Sequence, residues 1–339
     1  TLLPAKTIHR FLKWDKENNT FSINEYNKDY SNLVIIDEVS MIDTSLLANL
    51  FKGLTNNIKV VLVGDYNQLP SVGPGQVLKD LIESNVVDTV HLDLLYRQKE
   101  DSYISSLATE IKDNDLSENF LEPRSDYKFL TCKSDNIRNN LKIICKQIKE
   151  KGFDYKKLQV MAPMYAGING IDNLNKELQT IFNPSSAEKL EIHYGDIIFR
   201  ENDKILQLVN MPDENIYNGD IGIIKTIIPA SLSQSSKNEI EVDFDGHIVK
   251  YKPKDFNKIK HGYIISIHKS QGSEFDTVII PICHTYQRML YRKLIYTGIT
   301  RAKKRLILLG EPDAFVKAIQ NNNEFKRKTS LNERLNKFE

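Results

Sequence analysis

Short apolar runs alternate along the chain with longer stretches in which apolar residues recur every three or four positions. The short runs are rich in β-branched residues and bounded by polar or turn residues, a pattern typical of buried strands in parallel sheets. The predicted strands are Leu33–Ile36, Lys59–Val63, Leu158–Met161, Thr277–Ile280 and Arg305–Leu309. The predicted helical faces are Tyr103, Ile104, Leu107 and Ile111; Ile137, Leu141, Ile144 and Ile148; and Ile171, Leu174, Leu178 and Ile181. Such alternation of strands and helices predicts an α/β fold with parallel sheets.

One region breaks this alternation, because the helical period disappears from about Tyr194 to Lys258. Short segments of alternating polarity are separated there by turn residues at Asn218–Asp220 and at Asp245–Gly246. An Asp-Gly pair between two alternating runs is a strong signal for a β-hairpin. The pattern predicts a small β-barrel inserted into an α/β domain.

Composition limits the class of protein only broadly. The 339 residues suffice for two or three domains of about 100–200 residues each. The chain has 46 Lys and Arg against 45 Asp and Glu, so its overall charge argues neither for nor against a nucleic-acid partner. No apolar run approaches the roughly 18 residues that a membrane span requires. Cys132, Cys145 and Cys283 are far apart and form no C-x-x-C, which argues against a disulfide framework or cysteine-based zinc site and fits a reducing cytoplasm.

The first candidate site follows the apolar run Leu33–Ile36, where Asp37 and Glu38 stand side by side. The carboxyl edge of a parallel sheet is where a nucleotide and its Mg²⁺ are commonly held. Asp37 could bind the metal, and Glu38 could orient or deprotonate an attacking water. A lone Asp-Glu pair is more often only a solvated strand end, so this pattern requires support from others.

A second candidate site follows the next predicted strand, where Gly64-Asp65 leads into a loop rich in Gly and Pro that ends at Gly75. Gln68 in this loop could reach a γ-phosphate and respond to its presence. The Gly and Pro residues by themselves indicate only a loop. Because the loop follows the Asp-Glu strand by about 27 residues, it is interpreted as the neighbouring strand end of one nucleotide site.

Two arginines far apart in sequence are candidate contacts to the same nucleotide. Arg97 lies in Tyr-Arg-Gln, and Arg301 lies in a basic stretch that begins at Tyr296. Arginine keeps its charge and offers a planar fork of donors to phosphate oxygens. Taken alone, Arg301 is more often a solvent-facing or helix-end cation. Glu274 could accept a hydrogen bond from a ribose hydroxyl group.

Small hydroxyl, imidazole and ammonium groups cluster in two places that suit a phosphodiester backbone. Ser266, His268 and Lys269 precede a predicted strand, and Thr7 and His9 lie close to the start of the chain. A single histidine such as His268 is more often structural. These groups therefore gain meaning only from the motifs around them.

The order of these motifs is far more specific than any one of them. In chain order they read D-E-V-S-M, G-D-x-x-Q-L-P-S-V-G-P-G, Y-R-Q, H-K-S-Q-G-S-E-F and Y-T-G-I-T-R-A-K-K. This series resembles motifs II to VI of superfamily 1 helicases, and T-I-H-R resembles the end of motif Ia. Within that superfamily the chain is similar to RecD-like DNA helicases, the 5′-to-3′ branch that includes exodeoxyribonuclease V alpha subunits. The match extends from about Thr7 to Gly310, with Ser266 and Gly298 where Thr and Ala are expected.

This resemblance implies two RecA-like parallel-sheet motor domains, the first one incomplete, and an inserted SH3-like barrel. The implied hairpin has strands Phe11–Trp14 and Thr20–Ile23, and it corresponds to the pin that splits a duplex. The implied domains are 1–95 for the first motor domain with its pin at about 11–23, 96–190 and 259–320 for the second, 191–258 for the barrel, and 321–339 for a basic tail.

The resemblance also implies which residues act. The expected activity is ATP-dependent translocation along single-stranded DNA at a duplex fork, in recombination or repair, with ATP and Mg²⁺ as cofactors and nuclease or helicase subunits as further partners. The expected catalytic residues are Asp37, Glu38, Gln68, Arg97 and Arg301. The expected nucleotide-binding residues are Asp37 (which also binds the metal), Gln68, Arg97, Gly272, Glu274 and Arg301. The expected DNA contacts are Thr7, His9, Ser71, Ser266, His268, Lys269 and Thr297.

One expected motif is absent from the sequence. The phosphate-binding loop, G-x-x-x-x-G-K followed by Ser or Thr, does not occur in the 339 residues. We therefore expect this chain to be the carboxy-terminal part of a helicase, and inactive in ATP hydrolysis when alone. Two alternatives remain at this point: a non-catalytic nucleic-acid-binding module, and a related superfamily 1 RNA helicase or relaxase-helicase.

Overall fold

The structure is a computed structural model that describes residues 5–15, 17–92, 102–233, 235–322 and 327–337. The chain divides into two compact units. The first unit consists of residues 1–94 and 323–339, and the second unit consists of residues 95–322. Arg97, one of the predicted catalytic residues, lies outside the described residues.

The helices and strands follow in chain order. Those before the second unit are α1 (Ile8–Phe11), β1 (Trp14–Asp15), β2 (Thr20–Phe21), β3 (Leu33–Ile36), α2 (Thr44–Lys52), β4 (Lys59–Leu62) and α3 (Val77–Ser84). The α/β part of the second unit begins with α4 (Tyr103–Asp113), β5 (Tyr127–Thr131), α5 (Ile137–Glu150), β6 (Leu158–Ala162) and α6 (Ile171–Phe182). The inserted strands are β7 (Glu191–Tyr194), β8 (Ile197–Arg200), β9 (Lys204–Gln207), β10 (Ile221–Ile228), β11 (Glu239–Phe244), β12 (His247–Tyr251) and β13 (Ile259–His261). The remaining elements are β14 (Ile264–Ser266), β15 (Phe275–Ile282), α7 (Arg292–Ile299), β16 (Ala302–Gly310), α8 (Pro312–Gln320) and α9 (Leu331–Leu335).

In the first unit, β3 and β4 pair in parallel, and one face of this pair carries the core. Ile36 packs there with Leu50 of α2 and Val77 of α3. Successive side chains of a strand point to opposite faces, so Leu33 and Ile35 lie on the other face, where Ile35 is 64% exposed. The prediction of β3 as a buried strand is therefore wrong for this face, because α2 and α3 cover only the opposite one among the described residues.

The hairpin near the start of the chain is shorter than predicted. The strands Trp14–Asp15 and Thr20–Phe21 pair in antiparallel register, and backbone hydrogen bonds from Ser22 to Lys13 and from Ile23 to Leu12 continue the hairpin. Phe11, predicted as a strand residue, ends α1 instead. The helix begins after Thr7, whose hydroxyl oxygen accepts a hydrogen bond from the backbone N–H of Arg10 and so caps the first turn. This cap outweighs the strand preference of the aromatic residues that follow.

The final residues, which were predicted as a basic tail, include a further helix. Helix α9 belongs to the first unit, and its Leu331 packs against the core of that unit. The chain therefore passes from the first unit into the second and returns to the first.

The second unit contains a five-stranded parallel sheet in the order β14-β6-β15-β16-β5. Its strands include all three that were predicted in this part of the chain, and β15 and β16 extend further than predicted. Helices α4, α5 and α6 carry the predicted apolar faces, with Leu107, Leu141 and Leu178 among the buried residues. The α/β class is thus confirmed.

The inserted region forms an antiparallel sheet in the order β12-β11-β10-β9-β13, together with the β7–β8 hairpin. The predicted hairpin at Asp245–Gly246 is confirmed, because Phe244 pairs with His247 and both turn residues have positive φ, 50° and 94°. Since β13 pairs with β9, the sheet extends past residue 258 to His261. Its core contains Phe199, Ile224, Ile240, Val242, Tyr251 and Phe256.

Cys132, Cys145 and Cys283 are all free thiols, as the sequence predicted. Cys145 and Cys283 are buried, and burial raises the pKa of the Cys145 thiol to about 12. Within the described part of the chain, no helix is both long enough and apolar enough to cross a membrane.

Candidate functional site

The first part of the site is built where β3 and β4 end at the same edge of their sheet. The backbone N–H of Val63 donates to the carbonyl oxygen of Ile36 at 2.8 Å, and that of Val39 donates to Val63 at 3.0 Å. These bonds hold the two strand ends together. Asp37 follows one strand and Asp65 follows the other, so the carboxyl edge predicted from the sequence is present in the structure.

Asp37 and Glu38 form a tight turn at this edge. The Oδ1 atom of Asp37 accepts a hydrogen bond from the backbone N–H of Glu38 at 2.8 Å. Glu38 itself has a φ of 55°, a left-handed conformation that is uncommon for residues other than glycine. Such local strain is often concentrated at functional sites. Glu38 is half-buried, whereas Asp37 is exposed at the edge.

The carboxylates at this edge fit a metal that arrives with a nucleotide. Among the residues that the structure describes, no group of three or more His, Cys, Asp or Glu side chains could hold a metal ion. Mg²⁺, however, is usually bound by one or two carboxylates together with substrate phosphates and water. The exposed carboxylate of Asp37 meets that requirement.

Gln68 provides the clearest sign that a ligand belongs here. Its backbone N–H donates to the carbonyl oxygen of Asp65 at 3.1 Å, and its amide nitrogen lies 3.4 Å from Oδ2 of Asp65. Its amide oxygen is buried and has no hydrogen-bond partner among the residues that the structure describes. Leaving a buried acceptor unsatisfied costs about 1–3 kcal/mol. The arrangement is suited to a water molecule or other donor supplied by a bound ligand.

The loop that follows Gln68 packs tightly on the start of α2. Ser71 is only 4% exposed, and its hydroxyl donates to the carbonyl oxygen of Gly73 at 3.1 Å. A Cβ on Gly73 would lie 2.2 Å from Oδ2 of Asp43, the residue that caps α2. The backbone N–H of Thr44 donates to Pro74 at 3.0 Å. The side chain of Ser71 therefore supports the loop, and it offers little surface to a DNA strand.

Thr7 and His9 lie beside the hairpin formed by β1 and β2. The hydroxyl of Thr7 caps α1, and His9 is exposed. The imidazole ring of His9 is 5.7 Å from the ring of Phe21, which is itself 4.7 Å from that of Trp14. Trp14 is partly exposed. Together these rings offer a surface on which a base could stack.

In the second unit, the predicted DNA-contact residues follow β14. Ser266 is buried, and its hydroxyl oxygen accepts a hydrogen bond from the backbone N–H of Lys269 at 3.3 Å. His268 is exposed, and desolvation by the surrounding protein lowers its pKa. Desolvation also lowers the pKa of Lys269. The ammonium group of Lys269 donates to the side-chain oxygen of Asn218.

Arg301 is buried to 2% exposure inside the second unit. Its Nε donates to the carbonyl oxygen of Thr297 at 3.1 Å, and Nη1 donates to that of Ser273 at 3.3 Å. Thr297 is fully buried, so the structure gives it a supporting position under Arg301, and its side chain does not reach the surface as a DNA contact must. Glu274 forms an ion pair with Lys303 at 3.1 Å.

The structure thus brings the predicted residues together in local groups. In the first unit, Asp37 and Glu38 follow β3, and Gln68 lies in the loop that follows the neighbouring β4. The group in the second unit comprises Gly272, whose φ is 74°, with Glu274 and Arg301. Arg97 falls outside the described residues.

Sequence reasoning missed one contact at this site, that of Asn218 with Lys269. Asn218 was noted only as part of a turn, and no sequence pattern connects it with a residue 51 positions later. Two basic residues of 250–260 form ion pairs with nearby carboxylates. Lys250 lies 3.4 Å from both Glu239 and Glu241, and Lys258 lies 2.7 Å from Asp255.

Three family models match consecutive parts of the chain. An AAA domain matches residues 1–134, and an ATP-dependent RecD-like DNA helicase SH3 domain matches residues 174–244. A UvrD-like helicase C-terminal domain matches residues 261–309. The SH3 match coincides with most of the inserted antiparallel sheet.

Similar proteins of known name are helicases or helicase subunits. The chain is 30% identical over 331 residues to the ATP-dependent RecD2 DNA helicase of Deinococcus radiodurans, covering 98% of this chain and 43% of that protein. It is 26% identical over 381 residues to the RecBCD enzyme subunit RecD of Buchnera aphidicola, covering 94% of this chain and 60% of that subunit. The chain therefore spans between two fifths and three fifths of the length of these relatives.

Solved structures support the fold. A Pif1 helicase from Bacteroides in complex with ADP-AlF3 and single-stranded DNA has a TM-score of 0.54 and 18% identity, covering 94% of this chain and 81% of that chain. A structure of two coordinating Pif1 helicases at forked double-stranded DNA has a TM-score of 0.53 and 19% identity, covering 94% and 80%. At this identity the likeness shows a shared fold.

Proposed function

Since the chain belongs to the RecD-like family of superfamily 1 helicases, we propose that it forms part of the motor of an ATP-dependent DNA helicase. The motor moves 5′ to 3′ along single-stranded DNA and opens a duplex fork in recombination or repair. Nuclease or helicase subunits are proposed as further partners. The free cysteines fit a cytoplasmic location.

The observation that carries this proposal is the parallel pairing of β3 with β4, because Asp37 and Glu38 follow β3 and the loop with Gln68 follows β4. Glu38 acts on the attacking water, and the buried amide oxygen of Gln68 accepts a hydrogen bond from it. Removing a proton from the nucleophile at the right position lowers the barrier of hydrolysis. The strand ends fix both groups on one rigid edge, which preserves their geometry during turnover.

Asp37 would hold Mg²⁺ when the nucleotide is bound. The ion would supply charge stabilisation to the phosphate oxygens at that position. Asp37 contributes an exposed carboxylate whose orientation is fixed by the hydrogen bond from its neighbour's N–H.

The second unit carries the remaining residues for which we propose nucleotide and DNA contacts. Arg97 and Arg301 stabilise charge on the phosphates, and Gly272 and Glu274 lie where the nucleotide is held. His9, His268 and Lys269 contact the DNA backbone, with Thr7 and Ser266 capping the turns that carry them. Because such contacts are mostly to phosphates and sugars, binding is expected to tolerate any base sequence.

The experiment is a measurement of DNA-stimulated ATP hydrolysis by the whole protein to which this chain belongs. Glu38→Gln keeps the shape of the side chain and removes the base, so turnover is expected to fall by at least about a hundredfold. Glu83→Gln is the matched control, since Glu83 lies at the exposed end of α3 in the same unit. A Glu38→Gln protein that keeps a tenth of normal turnover contradicts the assignment.

The 339-residue chain alone provides a second test. Its sequence contains no G-x-x-x-x-G-K motif, and we propose that it does not hydrolyse ATP by itself. DNA-stimulated phosphate release by this purified chain contradicts that proposal.

A further inference from the structure

An arginine from the end of the chain lies inside the loop that follows Gln68. Nη1 of Arg327 donates to the carbonyl oxygens of Gly73 and Gly75, both at 2.6 Å, and lies 3.2 Å from the hydroxyl oxygen of Ser71. Nη2 donates to the carbonyl oxygen of Ser71. One guanidinium group therefore meets four oxygen atoms of a loop that is 256 residues away in sequence.

A second anchor lies two residues further on. The hydroxyl of Thr329 donates to Oδ2 of Asp80, a buried carboxylate of α3. Oδ1 of Asp80 accepts from the amide of Gln76 at 3.1 Å, where the loop enters α3. Leu331 then packs against the core of the first unit. Residues 327–335, called here the C-terminal strap, are thus attached at both ends.

The chemistry of these contacts requires arginine in particular. Its planar group can direct several N–H bonds at carbonyl oxygens that converge from one loop. A lysine at this position would present a single ammonium group, and it could not reach the same set in one plane. The loop carbonyls would otherwise need water to satisfy them.

The C-terminal strap contacts one side of the loop and leaves the tip of the loop exposed. Ser71, Gly73 and Gly75 face Arg327, whereas Val72 between them is 99% exposed. An exposed valine at the tip of a fixed loop offers an apolar surface to the sugar and base faces of a nucleic-acid strand. The shape of this tip depends on the carbonyls that Arg327 holds.

We infer that Arg327 is a positioning residue for DNA binding, through which the C-terminal strap fixes the loop 71–75 in the shape that meets the strand. The inference rests on the proposed function, because it extends the DNA-binding surface of that function to the exposed tip of the loop at Val72. Arg327 does not touch the strand in this scheme. Because Arg327 already restricts the loop, the loop loses less conformational freedom when DNA binds.

The experiment compares Arg327→Ala and Arg327→Lys with Arg334→Ala in the whole protein. Arg334 is exposed on α9 and serves as the matched control in the same strap. Hydrogen exchange is measured on peptides covering residues 65–76, and the dissociation constant for oligo(dT) is measured by fluorescence anisotropy. Both Arg327 variants are expected to exchange on the order of tenfold faster in this loop and to bind about three- to tenfold more weakly. Arg334→Ala is expected to match the unaltered protein.

Three outcomes decide the inference. If hydrogen exchange in the loop is unchanged in both Arg327 variants, the C-terminal strap does not hold the loop. Faster exchange together with an unchanged dissociation constant overturns its role in DNA binding. If the unaltered protein does not bind oligo(dT), the proposed function fails and the role in DNA binding fails with it, while loop exchange still decides whether the strap holds the loop.

A variant that destabilises the whole first unit would raise exchange everywhere. Thr329→Val is therefore included, because it removes only the anchor at Asp80 and keeps the volume of the side chain. Faster exchange confined to the loop and the start of α3 supports the strap. Uniformly faster exchange across β3 and β4 in every variant, Thr329→Val included, overturns the loop-specific role.

Discussion

Lys269, in the turn that follows β14, donates a hydrogen bond from its ammonium group to the side-chain oxygen of Asn218 in the inserted barrel. This contact orients the cation, and the surrounding protein lowers its pKa by desolvation. A Cβ on Gly219 would lie 3.6 Å from the carbonyl oxygen of Lys269, so the barrel turn closely approaches the backbone as well. In the proposed function, the barrel would therefore act on DNA binding through the position of Lys269.

Lys269→Gln is expected to weaken binding of single-stranded DNA and to make it less dependent on salt. Loss of one phosphate contact lowers the slope of log K against log salt by about 0.7 for a single strand. Asn218→Ala should weaken binding less and keep the slope, since the charge remains. Titrations at several salt concentrations measure both quantities, with Lys128→Gln, on an exposed position of β5, as the control. If the slope is unchanged for Lys269→Gln, Lys269 does not contact a DNA phosphate.

The fluorescence of Trp14 should report DNA binding at the hairpin. Trp14 is the single tryptophan of the chain, it is partly exposed, and its ring lies 4.7 Å from that of Phe21. A base that stacks on this surface is expected to quench the emission, and Phe21→Ala is expected to reduce the quenching. Phe153→Ala, an exposed aromatic in the second unit, is the control. If the emission does not change at saturating oligo(dT), the hairpin does not contact the bound DNA.

Arg301→Ala is expected to affect both stability and catalysis. The change leaves the carbonyl oxygens of Thr297 and Ser273 without a buried donor, at a cost on the order of 2–4 kcal/mol in the free energy of unfolding. In the whole protein it should lower kcat more than it raises KM, because the guanidinium acts mainly on transition-state charge.

Arg305→Ala is the control for this prediction. Arg305 lies in the same basic stretch, but it is exposed and stacks over Phe153 at 4.7 Å. Its loss should cost no more than about 1 kcal/mol. A purely raised KM in Arg301→Ala, with kcat unchanged, contradicts a catalytic role for Arg301.

Lys204 should make the stability of the second unit depend on pH. Its ammonium group is buried and donates to the carbonyl oxygen of Leu158 at 2.9 Å. Burial lowers the pKa of Lys204 to about 7, whereas an unfolded chain keeps this proton up to about pH 10.4. The unfolded state thus binds more protons between these values, so the free energy of unfolding should rise with pH across this window, by on the order of 1 kcal/mol per unit.

Urea unfolding at pH 7, 8 and 9 measures this dependence. Lys204→Met should flatten the rise, while Lys128→Met, at an exposed position, should keep it. Equal slopes for the unaltered chain and Lys204→Met would show that Lys204 keeps its proton in the folded state.

The strand ends of the nucleotide site were predictable because their signal is local. Apolar runs followed by Asp37 and by Gly64-Asp65 are patterns within ten residues, and parallel pairing brings them to one edge. The hairpin at Asp245–Gly246 was predictable for the same reason. The misplaced strand at Phe11 shows the limit of short alternation, since a single cap at Thr7 reversed the outcome.

Other features depended on contacts that no local pattern carries. The hydrogen bond of Asn218 with Lys269 and those of Arg327 with the loop 71–75 join residues that are distant in sequence. The strap itself has only Leu331 and Leu335 in helical spacing, which is too short to predict a packed helix. The burial of Thr297 could not be predicted from the sequence either, because its motif resembles one in which several residues contact the ligand.

The return of the chain to the first unit has a consequence for how the protein is made. Ribosomes synthesise a chain from its first residue, and domains generally fold as they emerge. The first unit, however, cannot complete its loop until Arg327 has been added, after every residue of the second unit has been synthesised. Contacts between residues so far apart in sequence are slow to form. During synthesis the first unit therefore lacks the contacts of its last segment until that segment has been made.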